Sequence, residues 1–309
     1  MHPYARLTPG PGFDAHRMLL YYAQRLITFR PARAVVSRCI SAVLRLAHGR
    51  ETVRPDMQCA QAVKDLEAYG LAELAPLAST AAVSKMFGYF IEKPVVAPDG
   101  SRMLVGDLPA EIASASYDLA TIIGCPGLVE LVNSPAVLKI ASAYLHCRPT
   151  LSSLGVRWSL PNAGSTALFQ SFHRDIDDWR FLKLFIYLTD VTETSGPHGY
   201  VKTSHRTTFG LRERRYEIAE VGARFGLDKL QTITGPAGTS FVADTLGIHR
   251  GGVPTGSARL ILQAQYSLLP IYAFQYAPLD VRTAPIDPYS NRLMVRAARG
   301  KGQGGVNRA

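Results

Sequence analysis

The spacing of apolar residues changes near the middle of this chain of 309 residues. In the first half, apolar positions recur every three or four residues, which is the period of an amphipathic helix. Asp56 and Ser79 stand where a side chain can cap a helix, and the expected helices run to Tyr69 and to about Phe90. Ser134, followed by a proline, marks a third helix start. The first half is therefore predicted to be helical.

From about residue 154 onward, short runs rich in β-branched and aromatic residues replace the helical pattern. Gly, Pro, Asn and Thr separate these runs at intervals typical of an antiparallel sandwich or barrel. One helical insertion, at about residues 213–225, interrupts them. The runs read LGVRWSL, TALFQSF, LKLFIYLTDV, GYVKTSH, LQTITG, GTSFVADT and ARLILQAQYSLL. Because no internal repeat and no clear linker are present, the chain is predicted to form one mainly β domain with a helical N-terminal layer.

The formal net charge of +10 is concentrated at the two ends of the chain. Residues 1–50 contain eight arginines and one acidic residue, Asp14, whereas residues 290–309 contain four arginines, one lysine and no acid. The rest of the chain therefore has a net charge of about −2. A protein that binds nucleic acid needs its basic residues on the docking face, so we expect no nucleic-acid partner. We expect the basic tail from residue 290 to be disordered.

The first 50 residues form a basic, amphipathic segment with two interpretations. The stretches MLLYYAQRLITF and AVVSRCISAVLRLA have a helical pattern of apolar and basic positions, and Pro31 separates them. This composition is found in mitochondrial presequences and in helices that lie on a membrane surface. It is also found in a helical cap that packs on a globular domain and keeps its arginines in water. The cap is the more ordinary arrangement, and peripheral membrane contact stays open.

The chain has few cysteines. They are too sparse for the disulfide framework of a small secreted domain and form no CxxC pair. Reduced thiols are the simplest interpretation, and we therefore expect a cytoplasmic protein. The cysteines are Cys39, Cys59, Cys125 and Cys147.

The segment QSFHRDIDDWRFLKLFIYLTDV places one histidine and three aspartates just before a run that is typical of a buried strand. Alternate side chains of an extended chain share a face, so His173 and Asp175 point the same way and could bind one metal ion. A His-x-Asp pair alone is weak evidence, because it arises often by chance. His249 is the candidate third ligand, since it follows a strand and precedes a Gly-Gly loop. Two imidazoles and one carboxylate with open positions suit a non-haem Fe(II) centre.

Arg259 lies on the strand after this loop, ten positions beyond His249. In an extended strand it shares a face with Ile261, Gln263 and Gln265, whereas the intervening residues are apolar. A buried guanidinium needs an anionic partner. The distal carboxylate of 2-oxoglutarate would be one, held in the bidentate geometry that arginine favours.

These residues carry a resemblance to a known family. FHRD, LKLFIYLTDV, SGPHGYVKTSH, GTSFVADTLGIHRGG and SARLILQAQY resemble the successive landmarks of the phytanoyl-CoA dioxygenase-like family of Fe(II)/2-oxoglutarate-dependent oxygenases. The resemblance covers about residues 150–268, is faint in VKDLEAYGLAELAPL and is absent from the first 50 residues. It implies a double-stranded β-helix, a cupin-like jelly-roll core of residues 151–270. A helical layer of residues 51–150 would complete a single oxygenase domain of residues 51–289.

The resemblance also implies roles for the site residues. His173, Asp175 and His249 would bind iron. Arg259 would hold the C5 carboxylate of 2-oxoglutarate, with support from Ser257. Further polar or basic residues that could lie near the cosubstrate are Arg157, Gln170, Lys183, Tyr187 and Thr189.

The activity implied by the resemblance is that of a dioxygenase. Such an enzyme consumes O₂ and 2-oxoglutarate, releases succinate and CO₂, and hydroxylates or otherwise oxidises an unactivated C–H bond of a small molecule. Halogenating relatives have a small residue in place of the carboxylate, so Asp175 favours hydroxylation, desaturation or ring formation. The substrate could be linked to CoA or to a carrier. Residues 1–150 and the loop at residues 195–230 are expected to form the lid that selects it.

Two other functions remain open. A cupin-type metal enzyme, such as an isomerase, could use the same ligands without 2-oxoglutarate, and a non-catalytic jelly-roll binding protein could keep the fold alone. The intact set of three ligands argues against the binding protein. Arg259 argues against the isomerase, which has no need of an arginine that grips a cosubstrate.

Other polar residues near the motifs have structural as well as functional interpretations. We expect His205 to end a turn and His198 to face solvent or the substrate entrance, although a second metal site is conceivable. Asp177 and Asp178 could contact the substrate or lie on the surface. Asp244 is expected to form hydrogen bonds at a strand end rather than bind metal.

Overall fold

The computed structural model describes residues 6–49, 56–161, 170–207, 215–281 and 286–297. Its helices are α1 (Ala15–Leu26), α2 (Arg30–His48), α3 (Met57–Tyr69), α4 (Thr80–Ile91), α5 (Leu119–Ile123), α6 (Leu128–Val132), α7 (Pro135–Leu145), α8 (Ile218–Phe225) and α9 (Pro288–Asn291). Its strands are β1 (Leu71–Leu74), β2 (Val95–Val96), β3 (Arg102–Met103), β4 (Ser114–Ser116), β5 (Thr150–Ser159), β6 (Phe181–Tyr187), β7 (His198–Val201), β8 (Leu230–Ile233), β9 (Ser240–Ala243), β10 (His249–Gly251), β11 (Arg259–Ser267), β12 (Leu279–Val281) and β13 (Val295–Ala297).

The strands form two main sheets that pack face to face. A large sheet has eight strands in the order β1-β9-β6-β11-β5-β4-β2-β3, and every neighbouring pair is antiparallel. A small sheet has three antiparallel strands in the order β10-β7-β8. Tyr187 and Phe241 of the large sheet share one buried cluster with Tyr200 and Ile233 of the small sheet. This sandwich is a jelly roll, and the predicted mainly β fold with N-terminal helices is confirmed.

Alternation along β11 separates the two sides of the large sheet. Leu260 and Leu262 pack in the main core with helix residues such as Leu66 and Phe90. Ile261, between them, packs in the cluster that fills the space between the sheets. Arg259 lies two residues before Ile261 and therefore faces the same interior space, as the period of two predicts.

Two of the predicted helix starts are formed by capping side chains. Asp56 accepts a hydrogen bond from the backbone N–H of Cys59 at 2.8 Å, and Ser79 accepts one from Ala82 at 3.2 Å. α7 also begins where predicted, although Ser134 makes no side-chain cap. Local capping chemistry thus decides where α3 and α4 begin.

The segment of residues 51–150 contains four short strands besides the predicted helices. β1 pairs with β9, and β4 pairs with β5, so both extend the large sheet. The chain turns directly from α3 into β1 because Gly70 adopts a φ of +81°. A Cβ atom at Gly70 would lie 2.1 Å from the hydroxyl of Tyr200. Pairing with a sheet edge overrides the helical preference of the Leu-Ala-Glu-Leu sequence in β1.

The C-terminal segment is ordered further than its composition predicts. The disorder expected from residue 290 is wrong for residues 290–297, because β13 pairs in parallel with β12 and Met294 is fully buried. Asn291 and Asn133 exchange amide hydrogen bonds at 2.7 and 3.0 Å. The apolar run from Leu293 to Val295 docks on the core, and the high positive charge of the tail had hidden this run.

Parts of three predicted features lie outside the described residues. These are the first four residues of the TALFQSF run, the start of the helical insertion predicted at residues 213–225, and the tail beyond residue 297. Within the described part of the insertion, Ile218–Phe225 is helical, as α8, whereas Tyr216 pairs with Phe172 in an isolated antiparallel bridge.

α1 and α2 pack on the domain as a cap. The guanidinium of Arg33 is buried and donates hydrogen bonds to the carbonyl oxygens of Gln24 and Asp178, the latter at 2.9 Å. The hydroxyl of Ser41 donates to the carbonyl oxygen of Leu145 at 2.9 Å. The cap interpretation therefore describes both helices. Its expectation that the arginines stay in water is wrong for Arg33, because protein carbonyls replace the water.

Residues 128–145 have the length and the mean hydropathy of a membrane-spanning helix. They fold as α6 and α7, which are separated by Asn133 and Ser134, and 56% of the segment is buried inside the protein. The segment therefore belongs to the core of the domain.

Replacing Arg33 by alanine is expected to lower the free energy of unfolding by about 3 kcal/mol, because buried carbonyl groups lose their donors. Urea unfolding measures the change. Arg38→Ala is the matched control, since Arg38 lies on the same helix but is exposed. We expect that control to change the free energy by less than about 0.5 kcal/mol. Equal effects of the two substitutions would contradict the docking of α2 on the domain.

Candidate metal centre

Backbone pairing brings the two candidate histidine ligands together. The N–H of His173 donates to the carbonyl oxygen of His249 at 2.9 Å, and the N–H of His249 donates back at 3.0 Å. The two residues are therefore directly opposite each other at the edge of the small sheet, with ring centroids 4.3 Å apart. Asp175 is held beside them, because its N–H donates to the carbonyl oxygen of Thr245 at 2.9 Å.

The three candidate ligands converge on one point. The Nε2 atom of His173 lies 3.7 Å from Oδ1 of Asp175, and the Nε2 atom of His249 lies 3.4 Å from Oδ2. One potential ligand atom from each residue lies within 4.8 Å of the other two. A single metal ion could therefore be bound by all three side chains, and the structure brings together the residues that the sequence selected.

Local hydrogen bonds orient both imidazole rings. Nδ1 of His173 lies 2.8 Å from the carbonyl oxygen of Ser171, and Nδ1 of His249 lies 3.0 Å from that of Gly247. A carbonyl oxygen only accepts, so Nδ1 carries the hydrogen and Nε2 presents its lone pair to the metal position. Burial, and then the neighbouring His249, lower the pKa of His173 to about 4. Its ring is therefore neutral at neutral pH, as a metal ligand must be.

Lys183 on β6 is the counter-ion of the candidate carboxylate ligand. Its Nζ atom lies 2.6 Å from Oδ2 of Asp175 and 3.4 Å from Oδ2 of Asp177. Burial alone would raise the pKa of Asp175, but the charge of Lys183, together with the neighbouring histidine rings, outweighs burial and holds it well below its usual value. Burial alone would lower the pKa of Lys183, but the two carboxylates raise it. Both groups are therefore charged.

A cavity of about 120 Å³ opens beside these residues. Arg259 on its wall is 1% exposed and donates to the carbonyl oxygen of Gly196 and to Oγ of Ser159, the latter at 3.1 Å. Its Nε–H group has no hydrogen-bond partner among the described residues. Arg157 lines the same cavity, and burial, followed by the charge of Arg259, lowers its pKa to about 10. Two buried guanidinium groups in so small a space suit an anionic ligand.

The other residues predicted near the cosubstrate support the site from outside the cavity. The hydroxyl of Tyr187 donates to the carbonyl oxygen of Ile233 at 2.8 Å and accepts from the N–H of His198 at 3.0 Å. Thr189 accepts from the N–H of Leu260 at 3.1 Å. Gln170 is buried but does not line the cavity.

Ser257 departs from the prediction. It is exposed, and its hydroxyl lies 2.8 Å from that of Ser195 rather than in the cavity. The prediction extended the alternation of the strand backward from Arg259. β11 begins at Arg259, however, so the period of two does not apply to Ser257.

His198 lines the cavity, which agrees with the second of its two predicted positions, the substrate entrance, and not with exposure to solvent. It is buried between Phe185, 4.8 Å away, and His249, 5.6 Å away between ring centroids. Its Nε2 atom is buried and has no hydrogen-bond partner among the described residues. Burial and the proximity of His249 hold its pKa well below the usual value, so it stays neutral. The expectation that it faces solvent is wrong, whereas its alternation with Tyr200 on β7 could have placed it inside.

The remaining polar candidates have structural partners. The carboxylate of Asp178 is fully buried and accepts from the N–H of Leu269 at 2.8 Å, so a surface position is wrong for this residue. Burial raises its pKa to about 7. His205 is buried near the carbonyl oxygen of Glu67. Asp244 accepts a hydrogen bond from the hydroxyl of Tyr144 at 2.7 Å, as expected of a strand-end residue.

The fold is similar to that of solved enzymes that use a non-heme metal and 2-oxoglutarate. No family model matches the chain, and no curated protein matches it by sequence. SnoK, the non-heme α-ketoglutarate-dependent carbocyclase from nogalamycin biosynthesis, superimposes with a TM-score of 0.52 at 19% identity, over 69% of this chain and 87% of SnoK.

EctD from S. alaskensis gives a similar result. Its apo form superimposes with a TM-score of 0.52 at 17% identity, over 80% of this chain and 91% of EctD. Its complex with 2-oxoglutarate and 5-hydroxyectoine gives 0.51 at 18% identity, over 80% and 92%. The chain therefore has the jelly-roll fold of these enzymes, which agrees with the resemblance found in the sequence.

Substituting His249 by alanine should lower the affinity for Mn²⁺ by more than about tenfold, because one of three ligands is lost. Isothermal titration with Mn²⁺ measures the affinity without the complication of iron oxidation. His16→Ala serves as the control, since His16 is exposed and remote in sequence from the motif. Unchanged Mn²⁺ affinity in the His249 variant would show that the three residues do not form the metal site.

Replacing Lys183 by methionine should change stability and metal affinity in opposite directions: the metal-free protein becomes less stable, and the metal ion binds more tightly. The variant leaves Asp175 without its buried counter-ion, so the metal-free protein should lose about 3 kcal/mol of unfolding free energy. Divalent cations should bind about tenfold more tightly, because they no longer compete with the ammonium group. Lys229→Met, at an exposed position, is the control. Melting curves with and without Mn²⁺ test both expectations. A loss of both stability and Mn²⁺ affinity would show that the ammonium group of Lys183 does not compete with the metal ion for Asp175.

Proposed function

We propose that this protein is a non-haem Fe(II)- and 2-oxoglutarate-dependent dioxygenase that hydroxylates or otherwise oxidises an unactivated C–H bond of a small molecule. One observation carries the proposal: the three candidate metal ligands and the buried Arg259 face the same small cavity. A cation site and an anion site next to each other are what a metal-chelating dicarboxylate requires.

The residues of the site fit the iron and the cosubstrate. Once bound, Fe(II), 2-oxoglutarate and O₂ supply the oxidising chemistry, with release of succinate and CO₂. The protein offers three ligand atoms to the metal, namely one nitrogen from each of His173 and His249 and one carboxylate oxygen from Asp175. The other coordination positions of the iron would therefore be open to 2-oxoglutarate and O₂. The Nζ atom of Lys183 lies 3.4 Å from Oδ2 of Asp177, so Lys183 would still have an anionic partner once Asp175 binds the metal ion.

The two arginines would hold the cosubstrate. Arg259 keeps its guanidinium in place through Gly196 and Ser159, so little side-chain freedom is lost when a carboxylate binds. Arg157 adds a second positive charge on the same wall. His198 remains neutral and adds no charge to the pocket, while its buried Nε2 atom is available for a polar contact.

The cavity is large enough for the cosubstrate but too small to hold a drug-sized substrate as well. About 120 Å³ accommodates a compact dicarboxylate, whereas drug-sized ligands occupy pockets of roughly 300 to 1,000 Å³. We therefore expect the substrate to bind at the mouth of the cavity. A small molecule, free or linked to CoA or a carrier, is the proposed substrate class, and all four cysteines are free thiols, which suits the cytoplasm.

The two alternative functions, a cupin-type enzyme and a non-catalytic binding protein, do not account for all the residues of the site. A cupin-type enzyme that works without 2-oxoglutarate would not need a buried arginine on the wall of the cavity. A non-catalytic binding protein would not need two histidines oriented by backbone carbonyls toward one carboxylate. The dioxygenase uses all of these features.

Anaerobic titration with Fe(II) and then 2-oxoglutarate tests the proposal. The parent protein should develop the weak visible charge-transfer band of the chelated cosubstrate. Arg259→Ala should weaken 2-oxoglutarate binding by about 100-fold while Fe(II) binding is kept, because a charge-assisted bidentate contact is lost. Ser257→Ala is the matched control on the preceding turn and should leave the band unchanged.

The outcomes separate the functional classes. A band that is weakened in the Arg259 variant alone supports the dioxygenase. Bound Fe(II) without any band would favour a cupin-type enzyme, and the absence of Fe(II) binding would favour a binding protein. Formation of succinate from 2-oxoglutarate under air then provides the assay for a substrate search.

A further inference from the structure

The N-terminal helices α1 and α2 leave several large apolar side chains in solvent. Their inward side is mixed: the fully buried residues are polar, namely Gln24, Arg33, Ser37 and Ser41, and the half-buried Ile40 and Leu44 pack against the main core. A second set of apolar side chains points outward, and the most exposed are Leu26 at 77% and Leu46 at 87%. A helix on a globular domain normally keeps its polar side in solvent. The outward apolar side chains therefore call for a partner.

The exposed apolar residues form continuous stripes. On α2, Val35, Cys39, Val43 and Leu46 follow one another at intervals of three or four residues and therefore share one face. On α1, Leu19, Tyr22 and Leu26 do the same, and Ile27 and Phe29 continue the surface between the helices. We call these residues the outer face. They include eight of the fourteen large apolar side chains that are exposed among the described residues.

A patch of this kind is unusual on a soluble monomer. Scattered exposed apolar residues need no explanation, but a contiguous stripe along two helices marks an interaction site. The helices of 12 and 19 residues are roughly 18 and 28 Å long, so the outer face is extended rather than a single pocket.

The charges around the outer face select the partner. Arg38 and Arg45 are exposed on α2, one beside each end of the apolar stripe, and the first 50 residues contain only one acid, Asp14. Two copies of this face would place arginine against arginine, which disfavours a dimer through this surface. The partner should therefore carry negative charge and have an apolar region into which the exposed side chains can insert.

We infer that the outer face of α1 and α2 binds the surface of membranes that contain anionic lipids. The apolar stripe would enter the boundary between headgroups and acyl chains, while Arg38 and Arg45 would reach lipid phosphates beside it. Phe29, which is 64% exposed, lies at the connection between the helices and would enter with them. An acidic protein is the rival partner. The central apolar stripe with flanking arginines favours the lipid surface, because this is the pattern of helices that lie in the interface of anionic membranes.

Point substitutions test this inference better than a deletion of the first 50 residues. A deletion would also remove the hydrogen bonds of Arg33 and Ser41 to the domain and would expose the groups that they bind. Among the described residues, the side chains of the outer face make no hydrogen bond to the domain, so the fold should persist when they are changed. The basic tail is common to all variants, and differences between variants therefore report the outer face alone.

The experiment is co-sedimentation of the full chain with vesicles of phosphatidylcholine, with or without about 30% phosphatidylserine. The parent should bind the anionic vesicles, and binding should fall as salt is raised. Val43→Ser with Leu46→Ser should lower the partition coefficient at least tenfold, and so should Arg38→Gln with Arg45→Gln. Met57→Ser with Leu227→Ser removes exposed apolar residues elsewhere and should leave binding unchanged. Urea unfolding verifies that every variant is folded.

Three results would overturn the inference. The first is a parent protein that does not bind anionic vesicles. The second is binding that is lost in the arginine variant but kept in the serine variant, because it would indicate a purely ionic contact of the kind an acidic protein makes. The third is a concentration-dependent dimer, seen by sedimentation velocity and abolished by the serine substitutions, which would assign the outer face to a second copy of the chain.

Discussion

The backbone pairing of His173 with His249 is the interaction on which the candidate site depends. Two hydrogen bonds join residues that are far apart in the sequence, and they fix the separation of both imidazole rings before any metal is present. Each ring is then turned by the same local contact, because Nδ1 of each histidine donates to the carbonyl oxygen two residues earlier. The edge of the small sheet thus positions two ligands, and the short step from His173 to Asp175 adds the third. Preorganisation of this kind lowers the cost of assembling the site when a metal ion binds.

Charged side chains of both signs lie in and beside the cavity. Lys183 balances one of the two carboxylate charges of Asp175 and Asp177, whereas Arg157 and Arg259 both line the cavity, where the charge of Arg259 adds to burial in lowering the pKa of Arg157. Concentrating positive charge in a buried space costs stability, and a packed core of apolar residues on the other side of the large sheet offsets it. The arrangement favours the simultaneous binding of a cation at the carboxylate and an anion at the arginines. The electrostatics therefore describe a site for two bound groups, each of which would stabilise the folded protein on binding.

Much of the site could be predicted from the sequence because its residues follow short-range rules. The period of two placed His173 with Asp175 and Arg259 with Ile261, and capping chemistry placed the starts of α3 and α4. The role of Lys183 could not be predicted, because its ion pair joins β6 to a loop and depends on how the strands pack. The same holds for β1, which a helical composition concealed, and for the tail at residues 290–297, whose net charge masked a short apolar run. Long-range pairing decided these elements, whereas composition indicated only their local preference.

The N-terminal helices show why an amphipathic pattern alone does not determine orientation. The sequence offers two faces and leaves open which of them meets the domain. Hydrogen bonds decide the matter, because the Asp178 and Leu145 carbonyl oxygens need donors that only the polar face can supply. With Arg33 and Ser41 turned to the domain, Ile40 and Leu44 of α2 pack beside them on the core, and the other apolar stripe, which includes Val43 and Leu46, points outward. A helical cap and a membrane-facing helix, which compete as interpretations of the sequence, are therefore compatible as two sides of the same pair of helices.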